Sequence, residues 1–201
     1  MNQKWQTIAT YDESVPNFNE DVRLPLEKGL MPDMLSFVDI LKGKRILDLG
    51  CGRGRDALVF KKLGSDILCG DLSKGMIGIC VQRGLASLLL DIENLPFAPN
   101  SFDGVWAYAS FLHVPKANFQ DALRQTRQVL TPEGIFYIGM KEGNFEGMIE
   151  NARYPGDKRF FSLYQDQELM SLISRHFSIV KTSRIDLPGQ GIYLNYLCKK
   201  N

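Results

Sequence analysis

The stretch Ile46-Leu47-Asp48-Leu49-Gly50-Cys51-Gly52-Arg53-Gly54-Arg55-Asp56 decides the fold. A short apolar strand, Arg45 to Leu49, runs into a glycine-rich turn, and a helix follows from Asp56 to Leu63, closed by Gly64. A plain strand-to-helix turn needs one glycine. Glycines at three alternate positions, directly after Asp48, indicate a backbone that turns tightly while a ligand comes close to it. A dinucleotide fingerprint wants G-x-G-x-x-G, whose third glycine packs the helix on the strand. The spacing here is G-x-G-x-G, which suits a ligand without a pyrophosphate.

Working outward, strand and helix signals alternate. Asp66 to Gly70 reads as the second strand, with Ser73 as N-cap of a helix to Arg83. Ala86 to Leu90 is a continuous apolar run, as expected of a strand buried on both faces. Phe102 to Ala109 is the next strand. Phe119, Leu123, Thr126 and Leu130 carry helical spacing, stopped by Thr131-Pro132-Glu133-Gly134, and Ile135 to Met140 is the fifth strand. Asp166 to His176 reads as a helix. Ser178 to Ile185 and Gly191 to Cys198 are two final strands, joined by a link too short for a parallel crossover, so they pair as an antiparallel hairpin. Trp5 to Ser14 and Pro32 to Leu41 are short helices, with an irregular stretch from Val15 to Arg23. The alternation predicts an α/β fold, a doubly wound and mostly parallel sheet with helices on both faces.

The chain has 201 residues, 44% of them apolar, and a formal net charge of +1. That length and composition suit a single globular domain. The near-neutral balance offers no footprint for nucleic acid or for an anionic membrane. With no apolar signal core and no membrane-spanning run, the expectation is a soluble, cytoplasmic protein. Cys51, Cys69, Cys80 and Cys198 have the spacing of neither a zinc site nor a redox pair, so they read as free thiols and no metal is expected.

Two acids follow the glycine turn at the right places. Asp71 ends the second strand, where a carboxylate can accept two hydrogen bonds from a ribose diol. Asp91-Ile92 follows the third strand, where an acid takes an exocyclic amine and an apolar side chain covers a ring face. Residues Ile46 to Asp56, then Asp71, Asp91 and Phe102-Asp103-Gly104-Val105-Trp106-Ala107-Tyr108-Ala109, resemble in order the motifs of class I, Rossmann-like S-adenosylmethionine (SAM)-dependent methyltransferases. Asn94-Leu95-Pro96-Phe97 and Val129-Leu130-Thr131-Pro132-Glu133-Gly134 add to the likeness, which covers residues 44–142 well. Segments of the C-terminal half, among them Ser110-Phe111-Leu112-His113-Val114-Pro115, resemble a small bacterial branch of that family. Two departures stand out: Pro132-Glu133-Gly134 replaces the usual Pro-Gly-Gly, and His176 replaces a usual glycine.

The resemblance implies a seven-stranded sheet whose last strand is antiparallel. It also divides the single domain into a helical cap or lid (1–43), a SAM-binding core (44–142), and an acceptor-side loop, helix and C-terminal hairpin (143–201). It implies that Asp48 and the turn of Gly50, Cys51, Gly52 and Gly54 flank the methionine part of the donor, and that Asp71 holds the ribose. Leu72 and Met76 would lie near the adenosine, Asp91 and Ile92 would read the adenine, and the backbone around Tyr108 and Ala109 would receive the amino group. Tyr11 is either the aromatic residue of an N-terminal lid or the anchor of a surface helix. His113, after the fourth strand, is either a general base or the anchor of its loop, while His176 at a helix end reads as structural. Arg53 and Arg55 read as solvated. Asn144 to Tyr164 is long for a simple link and carries Phe145, Arg153, Tyr154, Lys158, Arg159 and Tyr164, which suit a small, partly apolar acceptor. A NAD(P)-dependent oxidoreductase and a non-catalytic SAM-binding sensor or partner subunit are the alternatives. The first is disfavoured by the glycine spacing, the second by the intact 110–115 and 143–164 segments.

Overall fold

The computed structural model describes residues 2–14, 29–150 and 156–201. Helices α1 (Gln3–Ser14) and α2 (Met31–Asp39) precede an alternating core. That core runs β1 (Arg45–Leu49), α3 (Arg55–Lys62), β2 (Asp66–Asp71), α4 (Lys74–Gln82), β3 (Ala86–Leu89), β4 (Phe102–Tyr108), α5 (Lys116–Val129) and β5 (Leu130–Lys141). Then come β6 (Glu146–Glu150), β7 (Lys158–Ser162), α6 (Asp166–Ser174), β8 (Phe177–Leu187) and β9 (Gly191–Lys200). The main sheet has seven strands in the order β3-β2-β1-β4-β5-β9-β8. β9 is antiparallel to both its neighbours and the other pairings are parallel. The expected seven-stranded sheet with an antiparallel last strand is therefore present.

Strand order reverses between β1 and β4, so the chain winds away from that point in both directions. Right-handed crossovers then place α3 and α4 on one face and α5 on the other. Neighbouring side chains on β5 show both faces, because strand residues alternate sides. Tyr137 stacks on Trp106 at 3.8 Å, and Trp106 meets Phe37 of α2 and Phe60 of α3 edge-on. Phe136 points the other way, against Phe111 and Phe177, with Phe119 of α5 beyond Phe111. Two polar groups pin the first face. The Trp106 indole N–H donates to Asp56 Oδ2 at 2.9 Å. The Tyr137 hydroxyl donates to Asp33 Oδ2 of α2 at 2.9 Å, and Lys181 pairs with the same carboxylate at 3.2 Å.

Four expectations need correction. β3 is not buried on both faces: it is the edge strand of the sheet, with Ala86 and Leu89 exposed. The helix ends at Val129, as the Thr131-Pro132-Glu133-Gly134 stop implies, but β5 starts at Leu130 and not at Ile135; Leu130 lies opposite Phe102, and a register shift on β4 with a left-handed Glu133 (φ 62°) absorbs the extra residues. Asn144 to Tyr164 is not simply a loop, because β6 and β7 pair there as a separate antiparallel hairpin, Glu146 opposite Ser162. β6 is short and largely exposed, so it lacks the apolar alternation that marks a buried strand, while β7 buries only Phe160 and Ser162. Arg55 is not solvated: it grips Asp56 with two bonds of 2.5 and 3.0 Å. The irregular stretch 15–23, Arg153 and Tyr154 lie outside the described residues.

Trp106 is fully buried at the centre of this packing. Trp106→Ala should cost about 3–5 kcal/mol of unfolding free energy, and Trp106→Phe roughly 1–3 kcal/mol, because the phenylalanine leaves Asp56 without its indole donor. Urea unfolding measures both; a Trp106→Ala loss below about 1 kcal/mol would contradict this packing.

Candidate active site

The carboxyl ends of β1, β2, β3 and β4 converge where the strand order reverses. Gly50, Gly52 and Gly54 all have left-handed φ, at 80°, 52° and 74°. A Cβ on Gly50 would stand 2.2 Å from Ser110 Cβ, and one on Gly54 would stand 2.5 Å from Leu85 Cδ1. Gly52 has open space on its Cβ side. Gly50 and Gly54 thus make the turn possible, whereas Gly52 leaves a face at which a ligand can approach.

Asp71 holds this turn. Its Oδ2 accepts the Gly52 N–H at 2.9 Å and its Oδ1 accepts the Ser73 N–H at 2.9 Å. Ser73 caps α4 as expected, accepting the Met76 N–H at 3.1 Å. Asp48, on β1 opposite Cys69 and Trp106, is 3% exposed, and its Oδ2 has no hydrogen-bond partner among the described residues. Burial, and then the charge of Asp56, push its carboxyl well above the usual carboxylate range. Burial also raises Asp71, against the backbone N–H bonds that lower it. Ala109 follows β4 with φ 57° and donates its N–H to Gly139 O at 2.8 Å. A left-handed alanine is strained, and such strain gathers at functional sites. Tyr108 stacks on Tyr193 at 5.4 Å beneath the Arg55 guanidinium, and its buried hydroxyl has no partner among the described residues.

Helix α1 crosses this edge of the sheet. Lys4 Nζ lies 2.5 Å from Asp91 Oδ2 and 2.7 Å from Glu93 Oε2. Asp12 Oδ1 accepts the Ser73 hydroxyl at 2.5 Å and the Gly75 N–H at 2.9 Å, at the start of α4. Thr7 Oγ1 accepts the Phe160 N–H at 2.8 Å. Asp91 itself accepts the Glu93 N–H at 3.0 Å, with Ile92 half-buried beside it. Leu72 is half-buried and Met76 is 3% exposed.

Tyr11 and His113 meet, although 102 positions separate them. His113 Nδ1 is 2.6 Å from the carbonyl oxygen of Phe160, which only accepts, so Nδ1 carries the proton. Nε2 is then a lone pair and accepts the Tyr11 hydroxyl at 2.8 Å. Arg159 Nη1 donates to the same hydroxyl oxygen at 3.1 Å and packs over the Tyr11 and Phe161 rings. Its other side grips Asp157 with bonds of 2.7 and 3.0 Å. Burial, partly opposed by the Phe160 carbonyl, brings the imidazole down to about 4. The ring is therefore neutral at pH 7. Arg159, singled out in the 144–164 stretch, is brought to this edge, whereas Asp157, Tyr193 and Lys4 are members of it that sequence reasoning missed.

Residues 47–138 match the family model of a methyltransferase domain. Over that stretch the chain is similar to a methyltransferase domain. Methyltransferase GfsG of Streptomyces halstedii is 31% identical over 110 residues, covering 50% of this chain and 39% of the relative. A demethylmenaquinone methyltransferase of Paenarthrobacter aurescens is 31% identical over 135 residues, covering 63% of this chain and 53% of the relative. The chain thus spans about half or less of the length of these relatives. Among solved structures, the 1,6-didemethyltoxoflavin-N1-methyltransferase of Burkholderia thailandensis, with bound 1,6-didemethyltoxoflavin and S-adenosylhomocysteine, has a TM-score of 0.72 at 23% identity. That match covers 96% of this chain and 88% of the other and shows a shared fold. Among the described residues, no helix is long and apolar enough to cross a membrane.

The depressed His113 has a consequence for stability. An unfolded histidine binds its proton near pH 6.5, the folded one only near 4. Between these values the unfolded chain holds more protons, so falling pH favours unfolding. This contribution is complete above pH 6.5 and is lost as pH falls through 4. The melting temperature of wild type should therefore fall more steeply over that window than that of His113→Gln; parallel curves would contradict a buried neutral imidazole.

Proposed function

We propose that this chain transfers the methyl group of SAM to a small-molecule acceptor. Asp48, Asp71 and Asp91 hold the donor, and the Tyr11–His113 pair faces the acceptor. The observation that carries this reading is the Asp48 carboxylate, buried beside an open glycine turn with one oxygen lacking a partner among the described residues. A buried, unpaired acid suits a cationic ligand, and the methionine end of SAM bears an ammonium and a sulfonium. Asp71 would hold the ribose hydroxyls, since carboxylate oxygens keep lone pairs beyond those used by Gly52 and Ser73. Asp91 would take the adenine amine once Lys4 moves aside, with Ile92 over the ring and Leu72 and Met76 flanking the adenosine. The backbone at Tyr108 and Ala109 would receive the amino group.

When bound, SAM supplies an electrophilic methyl group. The chain itself orients the two reactants, excludes water and, for an acceptor that arrives protonated, removes a proton. The Tyr11 phenol stands on the lone pair of His113, so the acceptor's proton goes to the Tyr11 oxygen while the Tyr11 proton passes to Nε2. The imidazolium that forms keeps its Nδ1–H on Phe160 O, and Arg159 stabilises negative charge on the phenol oxygen. Helix α1 then serves as part of the cover expected over residues 1–23 and excludes water at this edge. The demethylmenaquinone enzyme and the toxoflavin enzyme are named for small acceptors, which supports an acceptor of that class.

Calorimetry with S-adenosylhomocysteine and turnover on a panel of phenols, amines and thiols test this together. Asp71→Ala should weaken binding about tenfold to a hundredfold. Tyr11→Phe and His113→Ala should lower turnover of a phenolic acceptor by roughly 10²–10⁴-fold and leave binding nearly intact. Unchanged affinity in a folded Asp71→Ala protein would remove Asp71 from the donor site. Full activity in Tyr11→Phe would remove the relay, and binding without any turnover would favour a sensor.

A further inference from the structure

Three cysteines on different elements converge beneath the glycine turn. Cys51 lies in the turn, Cys69 on β2 and Cys80 on α4, and their sulfurs all stand within 4.8 Å of one another. Cys51 Sγ and Cys80 Sγ are 3.8 Å apart. The Gly52 carbonyl oxygen lies 3.3 Å from Cys80 Sγ and 3.6 Å from Cys51 Sγ. Cys69 and Cys80 are fully buried, whereas Cys51 is 9% exposed and opens the group toward the turn. The fourth cysteine, Cys198, is on β9 and stands outside the group.

The geometry points to a site for one thiophilic divalent ion, Zn(II), held by Cys51, Cys69 and Cys80 with the Gly52 carbonyl as fourth ligand. With zinc–sulfur bonds of about 2.3 Å and a zinc–oxygen bond of about 2.1 Å, a tetrahedral centre sets sulfurs about 3.8 Å apart and sulfur from oxygen about 3.6 Å apart. The measured 3.8, 3.3 and 3.6 Å already lie near those values. Charge selects the valence. Each thiol that binds gives up its proton, so three thiolates on Zn(II) leave one net negative charge, and on a monovalent ion such as Cu(I) they leave two. Cys69 and Cys80 are fully buried, so the second negative charge would be buried without a compensating partner among the described residues. Binding one ion therefore sends the thiol protons to solvent.

This reading is independent of methyl transfer, since it needs neither donor nor acceptor. It competes with a plainer one, in which the cysteines only fill space as small apolar groups beside Ala57 and Leu85. Reduced protein, kept free of oxygen, is titrated first with Co(II) and then with Zn(II). One Co(II) per chain should bind with thiolate-to-cobalt charge-transfer absorption, the intense visible bands of a tetrahedral centre and release of thiol protons. One Zn(II) should abolish those bands. Cys80→Ala should eliminate them and Cys198→Ala should retain them. If Cys80→Ala does not fold, the wild-type spectrum and proton release decide alone. No charge-transfer band in wild type, no proton release on binding, or bands that survive Cys80→Ala would overturn the site.

Discussion

The Asp71 carboxylate and the turn after β1 hold one another, and the geometry of the whole edge depends on that contact. One oxygen takes the Gly52 N–H and the other takes the N–H that opens α4, so a single side chain sets both the loop and the helix beyond the next strand. Gly50 closes on Ser110, whose hydroxyl donates to Leu49 O at 2.7 Å, and Gly54 closes on Leu85. The ends of β1, β2 and β4 therefore form one rigid piece, which has a cost. Asp48 and Asp71 are buried near each other, and each feels desolvation more than any other influence. A site poised in this way favours a ligand that brings positive charge.

The cover over this edge is built differently. Helix α1 is held chiefly by polar contacts: Lys4 to Asp91 and Glu93, Asp12 to Ser73 and Gly75, Thr7 to Phe160, and Thr10 to the Lys158 carbonyl. Trp5 remains 55% exposed. Partly exposed ion pairs of this kind contribute little each, so displacing the helix costs far less than disturbing the Trp106 core. The same helix carries Tyr11 to His113, so on the proposed reading one movement would change both access to the donor and the proton route to the acceptor.

Most of the fold was legible in the sequence because its signals are local. The glycine turn, the apolar runs and the short link between the last two strands each lie within a dozen residues. The candidate acids stand out for the same reason, since Asp48 lies within the first strand, Asp71 ends the second and Asp91 comes just after the third. What stayed hidden depends on distance along the chain. Lys4 meets Asp91 across 87 positions, and Tyr11 meets Arg159 across 148. Within the β6–β7 hairpin, β6 was hidden by its exposure, which removes the alternation that reports a buried face. The cysteine group was hidden because ligand spacing is informative only when ligands share a loop or a helix; here a turn, a strand and a helix each supply one sulfur.

The central claim is that Asp48 is held, at a cost to the fold, for a cationic donor. Asp48→Asn keeps the shape and removes the charge, so it separates the two roles. Its effects on the melting temperature of the ligand-free protein and on S-adenosylhomocysteine affinity are to be measured side by side. The account predicts a melting temperature equal to or above that of wild type, with affinity weakened about tenfold or more. A lower melting temperature with unchanged affinity would make Asp48 a structural residue and contradict the account.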